Sequence, residues 1–416
     1  MPWKGIIHLL TDKHIQNGIC NLEDEFGQVR VQRAVDAVRK FRVEVPSWVF
    51  GDFGGGRFSG YMPPGHARNL TEKLDDAAEV NRLTGVTPRV AMHMLWDFSE
   101  DGLRADQALA VRAEELAGER GLEIGAINPT YFLEGSHRGS LSATDADIRQ
   151  RYIDQTVQSA QIAKELAHSL VTLWFHDGSL YPGQVNLAKA YITLRDSLAQ
   201  VMEQIDSGVT VLIEYKLFEP GTYSTVVPDW GTAYMLAKEM GPNTGVLVDM
   251  GHHAHGVNIE QIVARLIAQD VKGGFHFNTR YAADDDHAVA PDFQMARLFY
   301  ELVSGDVLFN PDVSLNWPLM IDQCSGRENR MHAILHSVDS LQHALARAML
   351  LDQTKLARCQ DADDILSANR LFNDALLHAD VRPILARARL EKNLPADPVQ
   401  AYVESGYQQK IEAERK

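Results

Sequence analysis

VTVLIEYK (209–216), TGVLVDMGHH (244–253) and GGFHF (273–277), followed by WPLMID (317–322), are brief apolar runs that each finish on a metal-grade side chain. The side chains are Glu214 with Lys216, Asp249 with His252, His276, and Asp322. A short continuous apolar run reads as a strand buried on both faces, the habit of parallel sheets. Parallel strands that project polar groups from one end describe the catalytic face of a β/α barrel. The loop after the third run adds Asp284, Asp285 and Asp286. Carboxylates and imidazoles would then gather where a divalent cation could neutralise them.

Working outward, VEVPSWVF (43–50), PRVAMHMLW (88–96), LEIGAIN (122–128) and HSLVTLWF (168–175) read as further strands. Helical patterns such as DQALAVRAEELAGERG and NIEQIVARLIAQD lie between strands. About eight alternations of strand and helix predict an α/β chain folded as a (β/α)8 TIM barrel. An open doubly wound sheet usually stops at fewer strands and keeps its phosphate-binding glycines after the first. From Arg327 onward only helical patterns remain. The expected organisation is therefore a barrel over 1–326 and a helical extension over 327–416. Its apolar stripes exceed what a closed barrel can cover, so the extension is expected to pack on the barrel and across neighbouring subunits.

Composition allows one large core and excludes several partners. The 416 residues are 45% apolar, with 56 acids against 40 bases and a formal charge of −16. Nucleic acid and anionic membrane surfaces demand the opposite balance. Cys20, Cys324 and Cys359 are odd in number and far apart, unlike a disulfide framework or a cysteine-based zinc site. The opening MPWKGIIHLLTDKHIQNG has too short an apolar run for a signal peptide, and no stretch approaches a membrane helix. A soluble cytoplasmic protein is expected.

Glu214 and Lys216 stand two apart on a strand, so both leave one face and serve one pocket. Alone, an E-x-K is a structural ion pair, and a run of aspartates is a solvated loop. Repetition of ligands at four strand ends changes that reading. His276 inside GGFHF needs either a hydrogen-bond partner or a metal to justify its burial. Asp284 and Asp286, being alternate, can address one ion, and Asp249 could bridge two. Oxygen-rich donors with some imidazole and no thiolate favour Mn²⁺, Mg²⁺ or Co²⁺ over structural zinc. Trp48, Trp96 and Trp174 fall near strand ends and would wall a pocket, and His93 lies on the second strand. The GDFGGGRFSGYMPPGH loop (51–66) has no P-loop or H-R-D beside it, so its glycines suggest a loop over the barrel mouth.

The order of these motifs resembles the L-rhamnose isomerase family, in its branch of broad aldose specificity. E-x-K, LVDMGHH, GGFHFN followed by DDD, MIDQ, VPSW, GGGRF, WFHDGS and EPGTYSTVVPDWG carry the resemblance. It implies a homotetramer with two divalent ions per subunit, Mn²⁺ first among them, acting on a small neutral sugar. It further implies that Glu214, Asp249, His276 and Asp322 hold a structural ion. A catalytic ion would be held by His252, Asp284 and Asp286, with Asp249 bridging. Lys216, His93 and Asp286 would be catalytic. Trp48, Trp96 and Trp174 would line the sugar pocket with Lys216 and His93, and Phe58 would reach a neighbouring subunit's site. The sequence departs from the family at Tyr215, where a histidine is expected, and at His176, where a glycine is usual. TRYAADDD (279–286) replaces a more familiar linker. These departures bear on sugar preference rather than on the ligands.

The chemistry expected is interconversion of L-rhamnose and L-rhamnulose, with L-mannose, L-lyxose and D-allose as further aldoses, by a 1,2-hydride shift. A proton-transfer route through an enediol is the rival mechanism. A ketose 3-epimerase on the same barrel would use one ion and two flanking acids, of which one strong candidate is present. A metal nuclease wants a basic groove. A non-catalytic sugar-binding protein would have lost a ligand.

Overall fold

The computed structural model describes residues 10–51, 63–166, 168–218, 223–279, 287–311, 317–323 and 328–416. Eight strands close a parallel barrel: β1 (Glu44–Pro46), β2 (Arg89–His93), β3 (Glu123–Asn128), β4 (Leu170–Trp174), β5 (Thr210–Glu214), β6 (Thr244–Asp249), β7 (Gly273–Phe277) and β8 (Leu319–Ile321). Neighbours follow chain order, and β1 pairs with both β2 and β8. The (β/α)8 expectation is met strand for strand.

Each strand is followed by a helix whose first turn is closed by an Asn or Asp side chain. The caps are Asn69, Asp106, Asp145, Asn186, Asp229, Asn258, Asp292 and Asn329. Each accepts a backbone N–H that the helix leaves unpaired, a bond worth about 1 kcal/mol. Repeated at every strand-to-helix turn, the caps fix where the chain leaves the catalytic face and turns back.

Inside the barrel, side chains alternate along each strand, and a dry layer forms one step below the rim. Ala91, Ala126, Leu170, Leu212, Leu247 and Met320 pack there beneath Trp48. Two residues further along the same strands stand His93, Asn128, Glu214, Asp249 and Asp322, and Trp174 stands four beyond Leu170. The period of two therefore puts every candidate polar group on the inward face above an apolar floor. Deeper still, Glu44 is buried and its carboxylate accepts the Ala126 N–H at 3.0 Å. Position 125 is glycine because a Cβ there would lie 2.1 Å from a Glu44 carboxylate oxygen.

The expected division at 326/327 cuts through the last β/α unit. Helix Arg330–Leu350 packs against Phe293–Ser304 and Leu70–Thr84, and so closes the ring of outer helices. The stripes expected to need a neighbour are largely covered within the chain. Helices Asp12–Phe26 and Gln28–Lys40, not anticipated from sequence, pack with Arg330–Leu350 and Arg382–Leu390 into a second core. That core buries Val35, Val38, Leu350, Leu376 and Ile384. The exception is helix Ile365–Asn373, which buries no residue and leaves Leu366 82% exposed. Among the described residues no helix is long and apolar enough to cross a membrane.

Candidate functional site

Four neighbouring strands bring one cluster together. Glu214 and Asp249 end β5 and β6, His276 lies one residue from the end of β7, and Asp322 follows β8 directly. Each offers one donor atom, and the four atoms lie within 4.8 Å of one another. His276 Nδ1 is 3.2 Å from Glu214 Oε1, 3.6 Å from Asp322 Oδ2 and 4.0 Å from Asp249 Oδ2. The backbone register sets this meeting, because Asp249 is paired with His276 and His276 with Met320.

His252 joins the edge of the cluster, its Nδ1 3.2 Å from Glu214 Oε1 and 3.1 Å from the Tyr215 carbonyl. Burial alone would raise the Glu214 carboxyl, but His276 and His252 outweigh it and hold it below the ordinary carboxylate range. Burial would lower the pKa of His276, and the Glu214, Asp322 and Asp249 carboxylates reverse this and raise it. Three carboxylates crowded against one imidazole in a buried place need positive charge, which a proton or a divalent cation can supply. The donor set is three oxygens and one nitrogen, and it fits a hard or borderline cation. The Asn278 side-chain carbonyl oxygen, buried beside it, has no hydrogen-bond partner among the described residues and is a further acceptor.

Neighbouring groups hold these ligands in place. Asn278 donates its amide to both oxygens of Asp249 at 3.0 Å, and the Gly251 N–H donates to the same carboxylate at 2.7 Å. Trp48 donates its indole N–H to Asp322 at 2.9 Å. Such bonds orient a ligand before any cation arrives.

An aromatic wall rises on the β2–β4 side. His93 stacks on Trp96 with centroids 3.7 Å apart, and Trp48 meets His93 edge-on at 6.3 Å. Phe132 bridges Trp96 and Trp174, at 5.7 and 5.9 Å. Lys216 Nζ lies 5.5 Å from the Trp174 ring centre, within cation–π range. Burial lowers the His93 pKa to about 3, with Asp97 opposing and Lys73 assisting. His93 is therefore a neutral imidazole, its Nδ1 paired with the Thr130 hydroxyl at 2.9 Å. Behind it Asp97 accepts the His93 N–H at 2.7 Å and the Ser47 hydroxyl at 2.5 Å, and pairs with Lys73 at 2.7 Å.

Of the expected residues, Glu214, Asp249, His276 and Asp322 come together with His252 beside them; Trp48 bonds Asp322, His93 and Trp96 continue the wall from Trp48, and Lys216 lies against Trp174. Phe58, Asp284, Asp285 and Asp286 lie outside the described residues. Tyr215 faces away from the cluster, as alternation requires, and its hydroxyl meets His253 Nε2 at 3.2 Å. Sequence reasoning passed over Asn278, Phe132, Thr130 and the Lys73–Asp97 pair. Asn278 was legible, since it follows GGFHF by one residue; the others enter from loops and helices whose contacts have no sequence period.

A closed parallel barrel with carboxylate and imidazole ligands at the C-terminal ends of its strands is a scaffold for metal-assisted chemistry on small molecules. Residues 100–306 match the family described as xylose isomerase-like TIM barrel. Over 398 residues the chain is 37% identical to a probable sugar isomerase of Mesorhizobium japonicum, covering 92% of this chain and 89% of that protein. The same figures hold for a probable sugar isomerase of Rhizobium meliloti. Among solved structures an L-ribulose 3-epimerase superposes with a TM-score of 0.53 at 13% identity, over 74% of this chain and 95% of that one. A xylose isomerase domain protein from Alicyclobacillus acidocaldarius gives 0.52 at 16% identity, over 74% and 99%. The chain belongs to the xylose isomerase-like TIM barrel family.

Proposed function

We propose that this chain is a metal-dependent aldose–ketose isomerase that interconverts L-rhamnose and L-rhamnulose and accepts aldoses of related configuration. The observation that carries the proposal is the meeting of Glu214, Asp249, His276 and Asp322 at four strand ends, beside Lys216 and below an aromatic wall. These four residues would hold one divalent ion, Mn²⁺ first. His252, Asp284 and Asp286, sharing Asp249, would hold a second. Bound there, such ions would polarise the sugar carbonyl and lower the pKa of a bound water or hydroxyl.

The chain's own residues would do the rest. Lys216 would donate to the carbonyl oxygen as negative charge develops on it. His93, kept neutral by burial, would orient a sugar oxygen without adding charge. Trp48, Trp96 and Trp174 would exclude water, which protects a hydride passing from C2 to C1 while the proton on O2 leaves and O1 gains one. A homotetramer would cover the exposed face of helix Ile365–Asn373 and bring Phe58 to a neighbour's site. The exposed free thiol of Cys20 suits a reducing cytoplasm.

The test is ketose formation from L-rhamnose, L-mannose, L-lyxose and D-allose by EDTA-stripped protein, before and after Mn²⁺ is added. Turnover restored by the metal supports the reading. Interconversion of ketoses at C3 without aldose formation supports an epimerase instead. Extensive deuterium uptake from D₂O at the migrating position overturns the hydride shift.

A further inference from the structure

We propose that Arg415 is a positioning residue for the cation site: from the outer layer of helices it fixes the segment that carries Trp48, and Trp48 in turn aims Asp322. The inference rests on the metal-dependent reading above.

Trp48 sits in the turn Ser47–Val49, directly after β1. Its indole can hold Asp322 only while that turn keeps its place. The residues that follow are fastened to a stretch further along the chain. The Ala67 N–H donates to the Phe50 carbonyl at 2.8 Å, and Gly51 and Ala67 form a parallel bridge. Residues 63–68, which include Ala67, are gripped by helix Tyr407–Glu414 and the arginine after it. Gln408 donates its side-chain amide to the Pro64 carbonyl at 3.2 Å, and Arg415 Nη1 donates to the Gly65 carbonyl at 3.0 Å. Gly65 has φ +78°, and a Cβ there would lie 2.9 Å from Ile411 Cγ1. The helix therefore packs directly on this backbone.

Arg415 is buried and serves two elements at once. Its Nη1 and Nη2 meet the two oxygens of Asp76 at 2.6 and 2.9 Å, and Tyr407 donates its hydroxyl to the same carboxylate at 2.7 Å. A planar bidentate pair fixes direction as well as distance. Asp76 lies on helix Leu70–Thr84 one turn after Lys73, so the face that meets Arg415 also reaches Asp97. Asp97 accepts the Ser47 hydroxyl.

Arg415 thus reaches the Trp48 turn by two routes. One runs through Gly65 and Ala67 to Phe50, the other through Asp76, Lys73 and Asp97 to Ser47. Ser47 and Phe50 bracket Trp48, so both ends of the turn are held. An ion pair needs Asp76 alone; the bond to the Gly65 carbonyl adds a fixed point on the segment that leads to Trp48. Groups that orient a ligand through such contacts raise cation affinity without touching the ion.

Mn²⁺ binding by calorimetry on EDTA-stripped protein tests this without any need for aldose turnover. Arg415→Met alone leaves the Asp76 carboxylate buried and uncompensated, so it is combined with Asp76→Asn. With folding checked by urea unfolding, the double variant should bind Mn²⁺ roughly 3- to 30-fold more weakly. In a Trp48→Phe background the same two changes should cost less than about twofold, because both routes end at Trp48. Gln408→Glu keeps the oxygen to which Asn329 and Tyr402 donate and loses the donor to Pro64, and should weaken binding by roughly 2- to 5-fold. Unchanged affinity in the folded double variant, or an equal loss with and without Trp48, overturns the inference and leaves the isomerase reading standing. Should the double variant not fold, unchanged affinity in Gln408→Glu overturns it equally. Wild type that binds no divalent cation overturns the metal-dependent reading and takes this one with it.

Discussion

Lys73→Met removes the only cation paired with Asp97 among the described residues, in a place where the two side chains are 5% and 0% exposed. Among the described residues Asp97 then remains a buried carboxylate supported only by the Ser47 hydroxyl and the His93 backbone N–H. Breaking a buried pair from one side costs about 3–5 kcal/mol, because the surviving charge is uncompensated. Asp97→Asn strands the Lys73 ammonium and should cost a similar amount. If the two losses were independent, the double variant would lose about 6–10 kcal/mol. With both charges gone there is no buried ion to penalise, so Lys73→Met/Asp97→Asn should instead lose no more than either single variant. Urea unfolding followed by tryptophan fluorescence and circular dichroism gives the four free energies. A loss under about 1 kcal/mol for Lys73→Met, or additive losses in the double variant, would refute the reasoning. The same carboxylate fixes the His93 backbone and the turn that carries Trp48, so the single variants should also lower turnover.

Trp48→Phe deletes the 2.9 Å bond to Asp322 and should weaken Mn²⁺ binding by about 10- to 100-fold, read by calorimetry on stripped protein; unchanged affinity would count against an orienting role. His93, with its pKa lowered to about 3 against an ordinary 6.5, should show no protonation by NMR between pH 8 and 5. Because its folded pKa is depressed, its contribution to stability is complete above about pH 6.5 and is lost as pH falls toward 3, by up to about 1.4 kcal/mol per unit. A His93 titration midpoint above 5 contradicts that account. Gly125→Ala should destabilise by about 2–4 kcal/mol, by overpacking and by displacing Glu44 from the Ala126 N–H. Glu44→Gln in the same background should leave the clash in place, and relief of the loss would show that charge rather than space was the problem.

What could be read from the chain was what periodicity and punctuation encode. VLIEYK, LVDMGH, GGFHF and LMID each place a ligand at the inward end of a buried run, and alternation by two puts Glu214 and Lys216 together while sending Tyr215 to the other side. Eight such runs alternating with helical patterns specify a barrel, and closure follows from strand number. Local rules were enough because each strand obeys them alone. What only the tertiary structure decided was everything carried by contacts between distant segments. Helices Asp12–Phe26 and Gln28–Lys40 cover apolar stripes of the C-terminal helices, since an apolar face records that it needs a partner but not which one. The division at 326/327 marked the last strand and not the helix that completes its unit. The support of His93 by Thr130, Asp97 and Lys73 depends on side chains meeting from different elements. Such meetings are set by packing and register across the whole barrel, and no window of sequence contains them.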